Sequence, residues 1–84
     1  MPSQEFEDAV AAVKTVGKDP GNDVKLKLYA LYKQATEGDA RGKRPGMFDL
    51  VGRAKYDAWH NLAGMAPEDA EDAYIAEVDN LLGD

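Results

Sequence analysis

The sequence predicts an all-α fold, a four-helix bundle, and three observations carry that reading. Apolar residues recur at spacings of three and four along the whole chain. Gly, Pro and Asn divide the pattern into four segments, and the connection between the second and third segments is long and rich in Gly and Pro. Eighty-four residues accommodate one small domain, residues 1–84, with a correspondingly small core.

The first helix is expected from about Gln4 to Val16, where Phe6, Ala9, Val10, Val13 and Val16 form one apolar stripe. Gly17 ends it, and Lys14 falls in the last turn, where the helix dipole favours a cation. Asp19-Pro20-Gly21-Asn22 is strong turn chemistry, and Asn22 is the expected N-cap of a second helix over about Asp23 to Thr36. Gly38 closes that helix, and residues 37–48 form the long connection. Asp49 is the expected N-cap of a third helix, Leu50 to Leu62, which Gly64 stops. Pro67 suits the first position of a fourth helix, and Glu68 and Asp69 meet the positive end of its dipole; the helix should run to about Leu82. Ala66 precedes it, where a capping oxygen would be expected.

Charge and composition exclude several classes of function. Ten basic and sixteen acidic side chains give a net charge of −6, which argues against binding to nucleic acid or to an anionic membrane. Residues 41–55 nevertheless hold five basic side chains and one acidic, while residues 56–84 hold eight acidic and no Lys or Arg. There is no Cys, so disulfides, thiolate metal sites and Cys nucleophiles are excluded. The N-terminal stretch Met1-Pro2-Ser3-Gln4-Glu5 is polar and acidic, unlike a signal peptide, and no apolar run is long enough to span a bilayer.

Two helices carry apolar arcs wider than a core stripe needs. In the second, Val24, Leu28, Leu31 and Ala35 make the stripe, but Tyr32 lies about 40° beyond Leu28 and Tyr29 about 100° beyond it. Leu26 and Lys33 follow on the same shoulder, while Lys27, Gln34 and Glu37 mark the solvated side. The tyrosines are either boundary residues with their hydroxyls in water or part of a ligand surface. In the third helix Val51, Ala54, Ala58, Trp59 and Leu62 make the apolar arc, and Lys55 falls inside it. An unpaired buried ammonium is costly, so Lys55 either snorkels or meets an acid or an anionic ligand. Gly52, one turn earlier, would be making room. A ligand fitting both anomalies carries anionic groups, a ring and an apolar part, as a nucleotide with a fatty tail does.

Catalytic constellations are absent from the pattern. His60 is the sole His and lies toward the polar side of its helix, with no nucleophile spaced to meet it. Ser3, Thr15 and Thr36 fall at helix ends, and Glu68, Asp69, Glu71 and Asp72 read as a solvated helix start rather than a metal site. No enzyme activity, cofactor or metal is expected.

Leu28-Tyr29-Ala30-Leu31-Tyr32-Lys33-Gln34-Ala35-Thr36-Glu37-Gly38-Asp39 resembles the signature of the acyl-CoA-binding proteins. Arg44-Pro45-Gly46-Met47-Phe48-Asp49 and Gly52-Arg53-Ala54-Lys55-Tyr56-Asp57-Ala58-Trp59 are similar to that family's next motif, and the first and last helices match in order. The resemblance implies an up-down-down-up bundle that binds medium- to long-chain acyl-CoA one to one. It implies that Tyr29, Lys33 and Lys55 hold the adenine and 3′-phosphate, with Tyr32 and Tyr74 in the same site and Lys14 on the ligand's polar part. Leu26 and Ala9 would cover the acyl chain. It further implies a cytoplasmic monomer that passes ligand to acyl-CoA-using enzymes, without stable membrane insertion. Val51 and Ala63 stand where that family often has Lys, and Lys25 where an apolar residue is common. A small helical protein-interaction module, its acidic last helix attracting a basic partner, is the alternative.

Overall fold

The computed structural model describes residues 3–17 and 19–83; Met1 and Pro2, the start of the polar N-terminal stretch, lie outside the described residues. Four helices form in order, α1 (Gln4–Val13), α2 (Asn22–Glu37), α3 (Leu50–His60) and α4 (Pro67–Gly83). Hydrogen bonds and shared surfaces fix their directions. Ser3, at the start of α1, donates its backbone N–H to Glu71 near the start of α4 (3.0 Å), so these helices run the same way. Asn22 and Lys25 of α2 share a depression with Leu50 and Val51 of α3, while Trp59 near the end of α3 donates its indole N–H to the Gly38 carbonyl beyond α2 (2.7 Å). Lys27 in the first half of α2 meets Glu77 in the second half of α4 (3.6 Å), so α2 and α3 run parallel to each other and opposed to α1 and α4, the up-down-down-up order.

The packing is a chain of neighbours. α1 packs on α4, α4 on α2 and α2 on α3; among the described residues α1 makes no comparable packing contact with α2 or α3. The result is a slab of 37 × 28 × 15 Å. The core joins Phe6 and Ala9 of α1 to Leu28, Leu31 and Ala35 of α2 and to Ala70, Tyr74 and Val78 of α4. Because α1 and α3 stand apart on either side of it, α2 keeps one shoulder uncovered. This accounts for the wide apolar arc of that helix.

The helix ends differ from the sequence expectations in instructive ways. α1 stops at Val13, but Lys14, Thr15 and Val16 continue with bonds to the carbonyls three residues back, so the apolar stripe extends through a tightened final turn. α3 likewise ends at His60 and tightens through Leu62, Ala63 and Met65. Asn22 does not cap α2. It is already helical, and the cap position falls on Gly21 at φ 93°, a left-handed conformation suited to Gly. Asp49 caps α3 as expected, accepting from the Gly52 N–H at 2.9 Å. Gly52 makes room for that cap and not for a ligand, since a Cβ there would stand 2.2 Å from Asp49 Oδ2. Ser3 caps α1 through Oγ, which accepts from the Phe6 N–H (3.1 Å).

Three further expectations fail for tertiary reasons. Gln34, placed on the solvated side, is fully buried; its amide donates to the Met65 carbonyl (2.9 Å) and to Asp39 (2.8 Å), tying α2 to the α3–α4 turn. Asp39 also accepts from the Gly64 N–H at 2.9 Å. Glu71, read as part of a solvated acidic run, is buried as the acceptor for Ser3. Val51, read as part of the apolar arc of α3, is exposed, because no helix covers the first turn of α3 on that side.

The long connection is pinned to α3 by side chains. Arg44 grips Asp57 with two bonds (2.9 and 2.7 Å), Arg53 donates to the Pro45 carbonyl (2.9 Å), and Tyr56 donates to the Gly42 carbonyl (3.0 Å). The paired geometry lowers the Asp57 pKa and raises that of Arg44.

Candidate functional site

The uncovered shoulder of α2 forms the floor of a trough made of three adjoining depressions. The first, about 310 Å³, lies between α1 and the second half of α2 and includes Phe6, Val10, Lys14, Tyr32 and Thr36. The second, about 360 Å³, shares Tyr32 and adds Val13, Lys25, Leu28, Tyr29 and Tyr74. The third, about 370 Å³, shares Lys25 and Tyr29 and reaches α3 through Leu50, Val51, Ala54 and Lys55, with Leu26 beside them. Tyr29 and Tyr32 are three apart, so they lie on one face of α2 and mark the two boundaries between depressions.

Aromatic packing sets the floor. Phe6 lies between two tyrosines, stacked on Tyr32 with ring centres 6.0 Å apart and edge-on to Tyr74 at 5.2 Å. Burial, with Tyr32 adding to it, raises the Tyr74 pKa, so its hydroxyl remains a hydrogen-bond donor at neutral pH.

Cations are arranged around this floor. Lys55 Nζ sits 5.2 Å from the centre of the Tyr29 ring, which explains a Lys within an apolar arc: its ammonium meets an aromatic face while the residue stays exposed. Lys25 reaches back to Asp19 at 3.2 Å. The Asp19 pKa is lowered, first by the Gly21 N–H it accepts and then by Lys25. Lys33 Nζ lies 4.8 Å over Trp59 and pairs with Glu37, which Arg41 also meets at 3.5 Å. The Lys33 contact is the main reason the Glu37 pKa is lowered.

Of the eight residues that the sequence pointed to, the structure brings Lys14, Leu26, Tyr29, Tyr32, Lys55 and Tyr74 to the trough. Lys33 stands beside it over Trp59, and Ala9 is buried in the core next to Phe6, outside the three depressions. Lys25 was not singled out as a site residue, although it borders two depressions; its position four residues before Tyr29, on the same helix face, was the available signal. Leu50 and Val51 were likewise missed.

Such a surface suits an anionic amphiphile: aromatic faces for a ring, lysines for phosphate, and an aliphatic depression for a chain. His60, exposed and stacked on Tyr56 at 6.0 Å, lines none of the three depressions. Among the described residues no group of three His, Asp or Glu side chains could hold a metal, and no helix is long and apolar enough to cross a membrane.

The sequence profile described as "Acyl CoA binding protein" matches residues 3–78. The chain belongs to the acyl-CoA-binding protein family. It is 53% identical over 77 residues to acyl-CoA-binding protein homolog 1 of Caenorhabditis elegans, covering 92% of this chain and 90% of that protein. It is also 53% identical over 78 residues to enoyl-CoA delta isomerase 2 of Rattus norvegicus, covering 93% of this chain but 20% of the isomerase. The crystal structure of acyl-CoA-binding protein 2 from Oryza sativa superposes with a TM-score of 0.91 at 44% identity, over 95% of this chain and 89% of that one. The acyl-CoA-binding protein fold thus accounts for the helix order and for the open shoulder of α2.

Proposed function

We propose that this chain, residues 1–84 acting as one binding domain, is a carrier and buffer for medium- to long-chain fatty acyl-CoA. It would bind the ester one to one in the cytoplasm as a monomer and hand it to acyl-CoA-using enzymes without chemical change. The trough carries the reading: an aromatic floor, lysines at its margins and an aliphatic end, continuous across the open face of α2.

The adenine and 3′-phosphate fall to Tyr29, Lys33 and Lys55. Lys55 already rides the Tyr29 ring, so a phosphate arriving there meets a cation and a phenol together. Lys33 must exchange its Glu37 contact for the phosphate, a swap between two charge-assisted partners that costs little at an exposed edge. Tyr32 and Tyr74 extend the aromatic wall, and Lys14 at the far depression meets the remaining polar part. Leu26 takes the acyl chain with Ala54 and the stem of Lys25, while Ala9 supports that wall from beneath through Phe6. Each methylene removed from water contributes up to about 0.8 kcal/mol, so long chains bind far more tightly than acetyl.

Titration calorimetry tests this reading. Palmitoyl-CoA is expected to bind tightly with unit stoichiometry, CoA more weakly, and palmitate more weakly still. Equal affinity for palmitate and palmitoyl-CoA would overturn the phosphate-anchored mechanism. A purified apo protein that ignores all three ligands and captures a peptide partner would establish the interaction module instead.

A further inference from the structure

α2 is open on a second side. α3 and α4 both pack on α2, yet among the described residues they do not pack on each other. The valley between them holds about 420 Å³. Ala30 and Leu31 of α2 form its floor, Ala58 and Leu62 of α3 one wall and Ala73 of α4 the other, with Met65 at the α3–α4 turn. Leu26 borders both this valley and the third depression of the trough, and the two surfaces share no other lining residue. The valley is therefore a separate surface on the same helix.

Its shape suits a helix. Two helices that each pack on a third at about 8–10 Å without touching each other leave a cleft about one helix wide. Ala30, Ala58 and Ala73 are small, so a fourth backbone can come close to all three elements. Its rim is acidic. Asp23 lines the valley, and Asp69 and Glu77 stand one turn either side of Ala73 on the same face of α4. Among the described residues Lys27 is the one cation lining it, and Lys27 pairs with Glu77 at 3.6 Å. The ion pairs among the described residues involve neither Asp23 nor Asp69. Residues 56–84 add a wider field of the same sign, with eight acidic side chains and no Lys or Arg. An anionic amphiphile is repelled from such a cleft, whereas a cationic one is attracted.

We propose that the valley is a docking site for a basic amphipathic helix of a partner protein. The apolar face of that helix lies on Ala30 and Leu31 between α3 and α4. Its Lys or Arg side chains meet Asp23 at one end and Asp69 at the other, since α2 and α4 start at opposite ends of the bundle. An amphipathic helix seated in an apolar groove draws its affinity from anchors one turn apart, and opposite charge speeds the encounter. A second copy of this chain fits poorly. Its basic segment, residues 41–55, is largely the non-helical connection, and a head-to-tail contact between copies does not close. The trough stays open while the valley is filled, so the proposal does not depend on what the trough binds.

Titration calorimetry and NMR of the isotope-labelled protein test it, using a synthetic helix-forming peptide of Leu and Lys with Leu at i, i+3, i+4 and i+7. The peptide is expected to bind and to shift the amides of Ala30, Ala58, Leu62 and Ala73, leaving those of Val10, Lys14 and Thr36 in place. A peptide of the same composition with Leu scattered around the helix should bind roughly tenfold more weakly or worse. Asp23→Asn combined with Asp69→Asn should weaken binding by roughly three- to tenfold. Ala73→Lys should nearly abolish it, because a long cation then occupies the wall. Circular dichroism checks the fold of these variants. Their palmitoyl-CoA titrations should match wild type, since Asp23, Asp69 and Ala73 line none of the trough depressions. A protein that fails to bind palmitoyl-CoA but binds the peptide would overturn the carrier reading and support this one. Five results would overturn the proposal: no peptide binding, equal binding of the scattered peptide, equal binding by wild type and Ala73→Lys, shifts confined to the trough, or concentration-dependent shifts at the valley without peptide, which would assign it to a second copy.

Discussion

Lys55→Ala is the most informative perturbation of the proposed site. It removes the ammonium 5.2 Å above Tyr29 and leaves the helix otherwise intact, since Ala is favoured in a helix interior. The exposed cation–ring contact contributes at most about 1 kcal/mol to folding, so the thermal midpoint should move by only a few degrees. A charge-assisted contact to a ligand phosphate is worth about 1.5–3 kcal/mol, and each 1.4 kcal/mol is a factor of ten. Palmitoyl-CoA affinity should therefore fall by about ten- to hundredfold in titration calorimetry. Lys27→Ala is the control, because Lys27 pairs with Glu77 at 3.6 Å and lines none of the three trough depressions. A second cycle uses the ester of CoA lacking its 3′-phosphate: if Lys55 meets that phosphate, the Lys55→Ala penalty should largely vanish with this ligand. Equal losses for Lys55→Ala and Lys27→Ala, or an undiminished penalty with the dephosphorylated ligand, would refute the assignment.

Gly52→Ala should give little of the roughly 1 kcal/mol that a Gly-to-Ala change in a helix normally yields, because the new Cβ displaces the Asp49 cap, itself worth about 1 kcal/mol. In an Asp49→Ala background the same change should give the full gain, as chemical denaturation would show. Asp39 has its pKa lowered, first by the Gln34 amide and then by the Gly64 N–H. Its stabilising effect is thus complete above the unfolded carboxyl range and is lost as pH falls through the lower folded value. Thermal midpoints of wild type and Asp39→Asn should differ most at neutral pH and converge in acid; a constant difference would count against this linkage. Ala66→Ser should raise stability by roughly 0.5–1 kcal/mol, because the Ala66 carbonyl already accepts from the Ala70 N–H at 3.0 Å, the geometry of an N-cap.

What could be read in advance followed from properties local to one helix. The stripe of Leu28, Leu31 and Ala35, the Asp49 cap and the Pro67 start depend on helical period and on first-turn chemistry, and all are present. The aromatic shoulder of Tyr29 and Tyr32 was also visible as an arc too wide for one core. Its cause, the separation of α1 from α3, is a property of packing order that no single helix encodes. Gln34 and Glu71 escaped because their burial is set by partners 31 and 68 residues away, the Met65 carbonyl and the Ser3 N–H. A polar side chain on a helix carries no periodic signal that such a partner exists. The exposure of Val51 escaped for the converse reason: it has the apolar character of a core residue, and only the absence of a covering helix leaves it in water.

Trp59 is the sole tryptophan of the chain, held between the Gly38 carbonyl below and the Lys33 ammonium above. All indole emission from the protein therefore originates at the α2–α3 seam, from a ring whose electronic environment includes one movable positive charge. A ligand that draws Lys33 off the ring changes that environment without touching the indole. If the proposed ligand draws Lys33 away, its binding is readable in stopped flow without a label, and Lys33→Met would separate the departure of the charge from any wider rearrangement of the seam.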